Sequence, residues 1–104
     1  MKKNFTSFLT TIMLFISAQA NAYYLYVGGV LVSDENKDNI TGSAISGGKI
    51  SYNPEKKYLM IADGTTINTT GTTEAINNMD IDDLMIVFEG KVTINSGGSG
   101  IICQ

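Results

Sequence analysis

The chain has 104 residues, 43% of them hydrophobic and only 16% charged, with one Cys, no His and a formal net charge of -3. That length allows one domain at most. Without His there is no usual base for a Ser or Cys nucleophile, and the single Cys can supply neither a zinc site nor an internal disulfide. All positive charge is Lys, with no Arg, which argues against nucleic acid, whose phosphates are met by clustered Lys and Arg.

Met1-Lys2-Lys3 is a short positive start, and Phe5 to Ile16 is an apolar run. Ser17-Ala18-Gln19-Ala20-Asn21-Ala22 ends in the small-x-small pattern of a peptidase site. The apolar run is shorter than the roughly 20 residues a spanning helix needs. These features predict a cleaved signal peptide of bacterial form over residues 1–22, no stable membrane insertion afterwards, and a periplasmic, surface-bound or secreted product. The remaining residues 23–104 hold five Lys against ten Asp and Glu, a net charge of -5, which argues against docking on anionic lipid.

Residues 23–57 read as an N-terminal cap region. Tyr23 to Val27 is a strand of aromatic and β-branched residues. Gly28-Gly29 is a turn that tolerates positive φ, and Val30-Leu31-Val32 is the return strand of a hairpin. Ser33 is a helix N-cap, with Asp34 and Glu35 at the positive end of a helix dipole. One or two helical turns are predicted there, ended by Gly42. Gly42 to Gly48 is a loop or irregular strand. Lys49-Ile50-Ser51-Tyr52 alternates polar and apolar as a half-buried strand does. Asn53-Pro54-Glu55-Lys56-Lys57 is a turn with Pro54 at its second position.

Residues 58–104 carry a repeat. Tyr58 to Ala62 is a strand, Asp63-Gly64 a tight turn, and Thr65 to Thr69 a strand. Gly71 to Asn78 is polar and irregular, with Ile76 and Ile81 pointing inward. Leu84 to Glu89 is almost continuously apolar, as in a strand covered on both faces. Gly90 turns the chain, Lys91 to Asn95 follows, Ser96 to Gly100 bends, and Ile101 begins another strand. Leu59-Met60-Ile61 matches Leu84-Met85-Ile86 at an offset of 25, Asp63-Gly64 matches Glu89-Gly90 at 26, and Thr66-Ile67-Asn68 matches Thr93-Ile94-Asn95 at 27. A period of that length, built of strand formers and Gly, is the sequence form of a β-solenoid coil. The predicted fold is therefore all-β: a short, parallel β-helix-like solenoid of about two coils with a third begun, preceded by a hairpin and one short helix. About three stacked repeats are needed to bury a continuous core. The last coil would leave unpaired backbone groups, which predicts an unusual cap, self-association through the edge, or a truncated relative of a longer protein.

Tyr24 to Val32, Asn39-Ile40-Thr41-Gly42, Gly48 to Pro54 with Tyr58 to Ile61, and Ile86 to Gly90 with Thr93-Ile94-Asn95 together resemble secreted Bacteroidetes-type β-solenoid repeat proteins. Such proteins are grouped with right-handed parallel β-helix or carbohydrate-binding repeat families. The resemblance implies a hairpin and a short acidic helix ahead of stacked coils, but relatives carry many more coils.

No constellation marks an enzyme. Carboxylates are present, but nothing marks one as a glycosidase acid, and Lys57 and Lys91 fall on predicted turns. Asp80, Asp82, Asp83 and Glu89 are oxygen donors of the kind Ca²⁺ takes. As an EF-hand loop the group fails, because Met85 stands where Gly is required. The Gly97-Gly98-Ser99-Gly100 run departs from the Ca²⁺ nonapeptide at Ile102. The plainer reading is that Asp82 and Asp83 keep a strand end soluble, with no cofactor. Tyr24, Tyr26, Tyr52 and Tyr58 could stack on sugar rings, being apolar bodies with polar tips. Tyr24 and Tyr26 would share a face of one strand. Ordinary strand packing is the competing account of all four, and Cys103 reads as a small buried hydrophobe. The expected function is a non-catalytic secreted module that binds carbohydrate or a cell surface. The alternatives are a structural fragment without ligand, or an adhesin or assembly subunit that associates through an open strand edge.

Overall fold

A computed structural model describes residues 22–103, and all the secondary structure among them is β. The predicted signal peptide therefore lies outside the described residues, apart from Ala22. The ten strands are β1 (Ala22–Val27), β2 (Val30–Ser33), β3 (Ile45–Ser46), β4 (Ile50–Asn53), β5 (Tyr58–Ile61), β6 (Thr66–Asn68), β7 (Ile76–Asn78), β8 (Met85–Phe88), β9 (Thr93–Asn95) and β10 (Ile101–Cys103). They form three small sheets, ordered β10-β7-β1-β2, β3-β6-β9 and β4-β5-β8.

The expected hairpin is present. Val27 pairs with Val30 across Gly28 and Gly29, whose φ values are 57° and 79°. Positive φ at both central residues defines the turn whose twist matches antiparallel strands, and Gly adopts it without a Cβ penalty. A second hairpin joins β4 to β5 with Asn53 opposite Tyr58. The Asn53 side chain accepts the N–H groups of Glu55 and Lys56 at 3.0 and 3.1 Å, so the turn carries its own cap.

The short helix expected after Ser33 is absent. The Lys37 N–H does reach the Ser33 carbonyl at 2.9 Å, a single helical turn. Propagation stops because the Lys37 carbonyl accepts the Tyr52 N–H at 2.7 Å, and the Ile40 N–H goes to the Ile50 carbonyl at 2.8 Å. The Asn36 side chain accepts from the Ser33 N–H and donates to the Leu31 carbonyl. Pairing with β4 thus outcompetes a helix too short to pass its costly nucleus.

The repeat is real in space, but its register is not the one the matching letters suggest. β8 runs parallel beside β5 with Leu59 opposite Ile86, and β9 beside β6 with Ile67 opposite Ile94. Both offsets are 27, and no insertion separates them. Parallel β10 then lies beside β7 with Ile76 opposite Ile101, an offset of 25. The connection from β9 to β10 is thus two residues shorter than that from β6 to β7. Leu59 faces Ile86 rather than Leu84. A slip of two residues leaves every side chain on its expected face, since strand side chains alternate with period 2.

The first row of strands, β5, β6 and β7, supplies Leu59, Ile61, Ile67 and Ile76 to the core, all fully buried. Leu25, Val27, Val32, Ile40, Ile50, Tyr52 and Ala75 complete it. Ile76 points inward as expected, and Ile81 packs partly buried against the core. The second row, β8, β9 and β10, is different. Leu84, Ile86 and Ile94 are only partly buried, while Met85 is 57% and Phe88 45% exposed. The expectation that Leu84–Glu89 is covered on both faces is therefore wrong: Met85 is exposed on one face and Phe88 on the other, and β8 pairs only with β5 among the described residues. Cys103 is exposed on edge strand β10, not buried.

Side chains tie the two rows together at their corners. The Asp63 carboxylate accepts the Lys91 N–H at 2.7 Å. The Thr69 hydroxyl donates to the Thr73 carbonyl at 2.7 Å and accepts the Gly97 N–H at 3.3 Å.

Candidate functional site

The β4–β5 hairpin alternates strictly. Tyr52, Leu59 and Ile61 point into the core, so Ser51, Asn53, Tyr58 and Met60 lie on the outer face. The parallel register continues that face onto β8, setting Met85 beside Tyr58 and Val87 beside Met60. The 34–39 loop overhangs the hairpin. It is held there by the Tyr52 N–H bond to the Lys37 carbonyl and by the Tyr23 hydroxyl, which hydrogen-bonds Asp34.

Between loop and hairpin lies a recess of about 420 Å³, lined among others by Tyr58, Met60, Lys37, Asp38, Asn53 and Glu55. The Lys37 ammonium sits 3.6 Å from the Asp38 carboxylate. The mixture of an aromatic ring, a thioether, an amide, an ammonium and carboxylates suits a neutral polyhydroxylated ligand, which offers an apolar ring face and many donors and acceptors.

Two tyrosines brace this site from behind. The Tyr23 and Tyr52 rings meet edge to face, 5.3 Å between centroids and 61° between planes. The hydrogen bond to Asp34, then burial and the Asp34 charge, push the Tyr23 hydroxyl up to about 12. Burial also raises the Tyr52 hydroxyl above its usual value.

The four candidate tyrosines do not form one site. Tyr58 faces the recess. Tyr52 borders the recess, but its side chain is buried, only 5% exposed. Tyr24 and Tyr26 do not share a regular face: pairing slips between Ala22 and Tyr26, and Tyr24 sits in that irregularity with φ at 55°. Tyr24 is 61% exposed, whereas half-buried Tyr26 lines a separate hollow with Glu74, Asn77 and Met79. A bulge re-aims a side chain in this way, and plain alternation does not foresee it.

Asp80, Asp82, Asp83 and Glu89 are all exposed. Asp83 and Glu89 stand at opposite ends of β8, a four-residue strand roughly 13 Å long at strand rise. Ca²⁺ needs its oxygens within about 2.6 Å, so no single ion spans them. No group of three metal-ligating side chains converges among the described residues.

Sequence reading missed Met60, Lys37 and Asp38. Met60 was within reach, since the Asn53-Pro54 turn implies Asn53 opposite Tyr58 and hence Ser51 and Met60 on the same outer face. Lys37 and Asp38 were not, because the helix expected there would have carried them elsewhere. No protein-family model, curated protein or solved structure matches the chain.

Proposed function

We propose that this chain is an exported, non-catalytic β-solenoid module that binds carbohydrate, on a cell surface or free, through the outer face of the β4–β5 hairpin. In this reading the two rows of strands are successive coils, and the constant offset of 27 between β5 and β8 and between β6 and β9 supports it. Export rests on the Lys2-Lys3 start, the apolar run and the Ala20-Asn21-Ala22 ending. The observation that carries the sugar reading is that Tyr58 and Met60 line one recess together with the hydrogen-bonding groups of Asn53, Lys37, Asp38 and Glu55. A sugar ring stacks on Tyr58 while its hydroxyls meet Asn53, Lys37 and the nearby carboxylates.

The test is a glycan array followed by titration of the best binder into the purified chain. Tyr58→Ala should weaken binding about tenfold, the worth of one aromatic contact, and Tyr24→Ala should leave it unchanged. Binding to no glycan, or equal loss in the two variants, defeats the reading.

A further inference from the structure

We propose that the outer face of the β10-β7-β1-β2 sheet holds a second binding site, for a small molecule that carries a protonated amine on an apolar body. It lies on a different sheet from the sugar recess and stands whether or not that recess binds a glycan.

The site is built on two neighbouring strands. Val27 and Ile76 are buried partners, and so are Leu25 and Asn78. Alternation therefore turns Tyr26 and its partner Asn77, which lie between them, to the outside. Side chains opposed in this way stand about 5 Å apart at Cβ. Met79 continues the face, two residues on from Asn77, and its N–H still bonds the Tyr24 carbonyl at 3.0 Å. Tyr26, Asn77 and Met79, with Thr72, Thr73 and Glu74, line a hollow of about 340 Å³, a size that small ligands occupy.

Glu74 sets the charge of the hollow. It is half-buried, and its Oε1 accepts from the Asn77 Nδ2 at 3.2 Å. Its Oε2 lies against Gly98, where an added Cβ would be 3.2 Å away. The carboxylate is thus held from two sides, yet no cation meets it. Among the described residues the one ion pair joins Lys37 to Asp38, and none that lines the hollow carries a positive charge.

Asn77 is a poor fit to its own strand. Asn is depleted in strands, and its Oδ1 is, among the described residues, the one buried side-chain polar atom without a hydrogen-bond partner. An unpaired buried acceptor destabilises a fold. Turning the amide over would set that oxygen against the Glu74 carboxylate. The amide therefore faces Glu74 while its own oxygen goes unpaired, which makes Asn77 a positioning residue for the carboxylate.

A fixed carboxylate without a counter-ion, beside an aromatic ring and a thioether, matches one ligand chemistry. An ammonium donates charge-assisted hydrogen bonds to Glu74 and is attracted by the face of the Tyr26 ring. The carbon body behind it lies against Tyr26 and Met79. An anionic ligand is repelled by Glu74, and a neutral one forgoes the charged bond.

Hexylamine, hexanol and hexanoate share one body and differ only at the head, so each is titrated into the purified chain and followed by NMR shifts. Hexylamine should bind about tenfold more tightly than hexanol, the worth of one charge-assisted bond, and hexanoate should not bind. The shifts should centre on Tyr26, Glu74 and Asn77. Glu74→Gln keeps the shape and should weaken hexylamine about tenfold while changing hexanol by less than about twofold. Tyr26→Leu should weaken hexylamine about threefold. Asn77→Val should also weaken it about threefold, yet raise the urea midpoint, a combination that a merely structural role would not give. Circular dichroism checks that each variant keeps its strand content. Hexylamine binding no tighter than hexanol, shifts centred on Tyr58 instead, or indifference to Glu74→Gln would each overturn the site. Loss of both binding and stability in Asn77→Val would overturn the positioning role.

Discussion

The Asp63 carboxylate accepts the main-chain N–H of Lys91, and the Lys91 carbonyl accepts the Gly64 N–H at 2.8 Å. One corner of the first row thereby holds the matching corner of the second. Gly90 lies so close that an added Cβ would strike the Asp63 side chain, at a φ of 61° that already favours Gly. Asp63→Ala should lower stability in urea by about 1 kcal/mol, the net worth of an exposed hydrogen bond. Asp63→Asn keeps an acceptor and should cost less. Equal losses in the two variants would show that the acceptor is not what matters.

Thr65 is a buried polar anchor. Its hydroxyl donates to the Ala62 carbonyl at 2.7 Å and accepts the Lys49 N–H at 3.1 Å. Thr65→Val keeps the shape but strands that N–H, so a loss of about 1–3 kcal/mol is expected. Gly48→Ala should be at least as damaging. Its Cβ would meet the Thr65 hydroxyl, and would lie 2.8 Å from the Thr65 nitrogen and 2.9 Å from the Asp63 carbonyl oxygen, and that backbone cannot move aside cheaply. Chemical denaturation of both variants measures this.

The two rows should differ sharply in their response to truncation. Leu59 is fully buried, and Leu59→Ala should cost about 2–5 kcal/mol through lost transfer energy and a cavity. Phe88 lies one row on beside Ile61, which is also fully buried, but is itself 45% exposed. Phe88→Ala, measured at low concentration, should cost less than about 1.5 kcal/mol. Comparable losses would mean that the second row is covered in solution.

The Tyr23 hydroxyl titrates near 12 when folded, against about 10 in an unfolded chain. A raised folded value favours the protonated, folded form. The Tyr23–Asp34 hydrogen bond therefore stabilises fully below pH ~10 and loses that effect as pH climbs through about 12. Tyr52, raised by burial, adds in the same direction. Unfolding midpoints taken across the alkaline range should fall for the parent chain and fall less steeply for Tyr23→Phe. Identical profiles would remove Tyr23 from the account.

Much of this architecture was legible in the residues. Gly28-Gly29 between two apolar runs specified a hairpin because few residues accept positive φ twice in succession. Alternation at Lys49–Tyr52 pointed to Ile50 and Tyr52 as the buried side chains, and both are. Two similar Thr-Ile-Asn segments 27 residues apart became parallel neighbours. Of the candidate site, Tyr58 was legible, while Met60, Lys37 and Asp38 emerged only with the hairpin and its overhanging loop.

Local residues by themselves determined a mainly β chain, the Gly28-Gly29 and Asn53-Pro54 turns and the buried face of β4, because φ preference and period-2 alternation are properties of short segments. Tertiary structure alone decided which strand lies beside which, and at what offset. Matching letters at 25 and true pairing at 27 bury the same face, so one-dimensional pattern cannot distinguish them. It also decided that Ser33–Lys37 forms a turn instead of a helix. The Lys37 carbonyl has two prospective donors, and the winner is the N–H of Tyr52, fifteen residues away, rather than its helical neighbour.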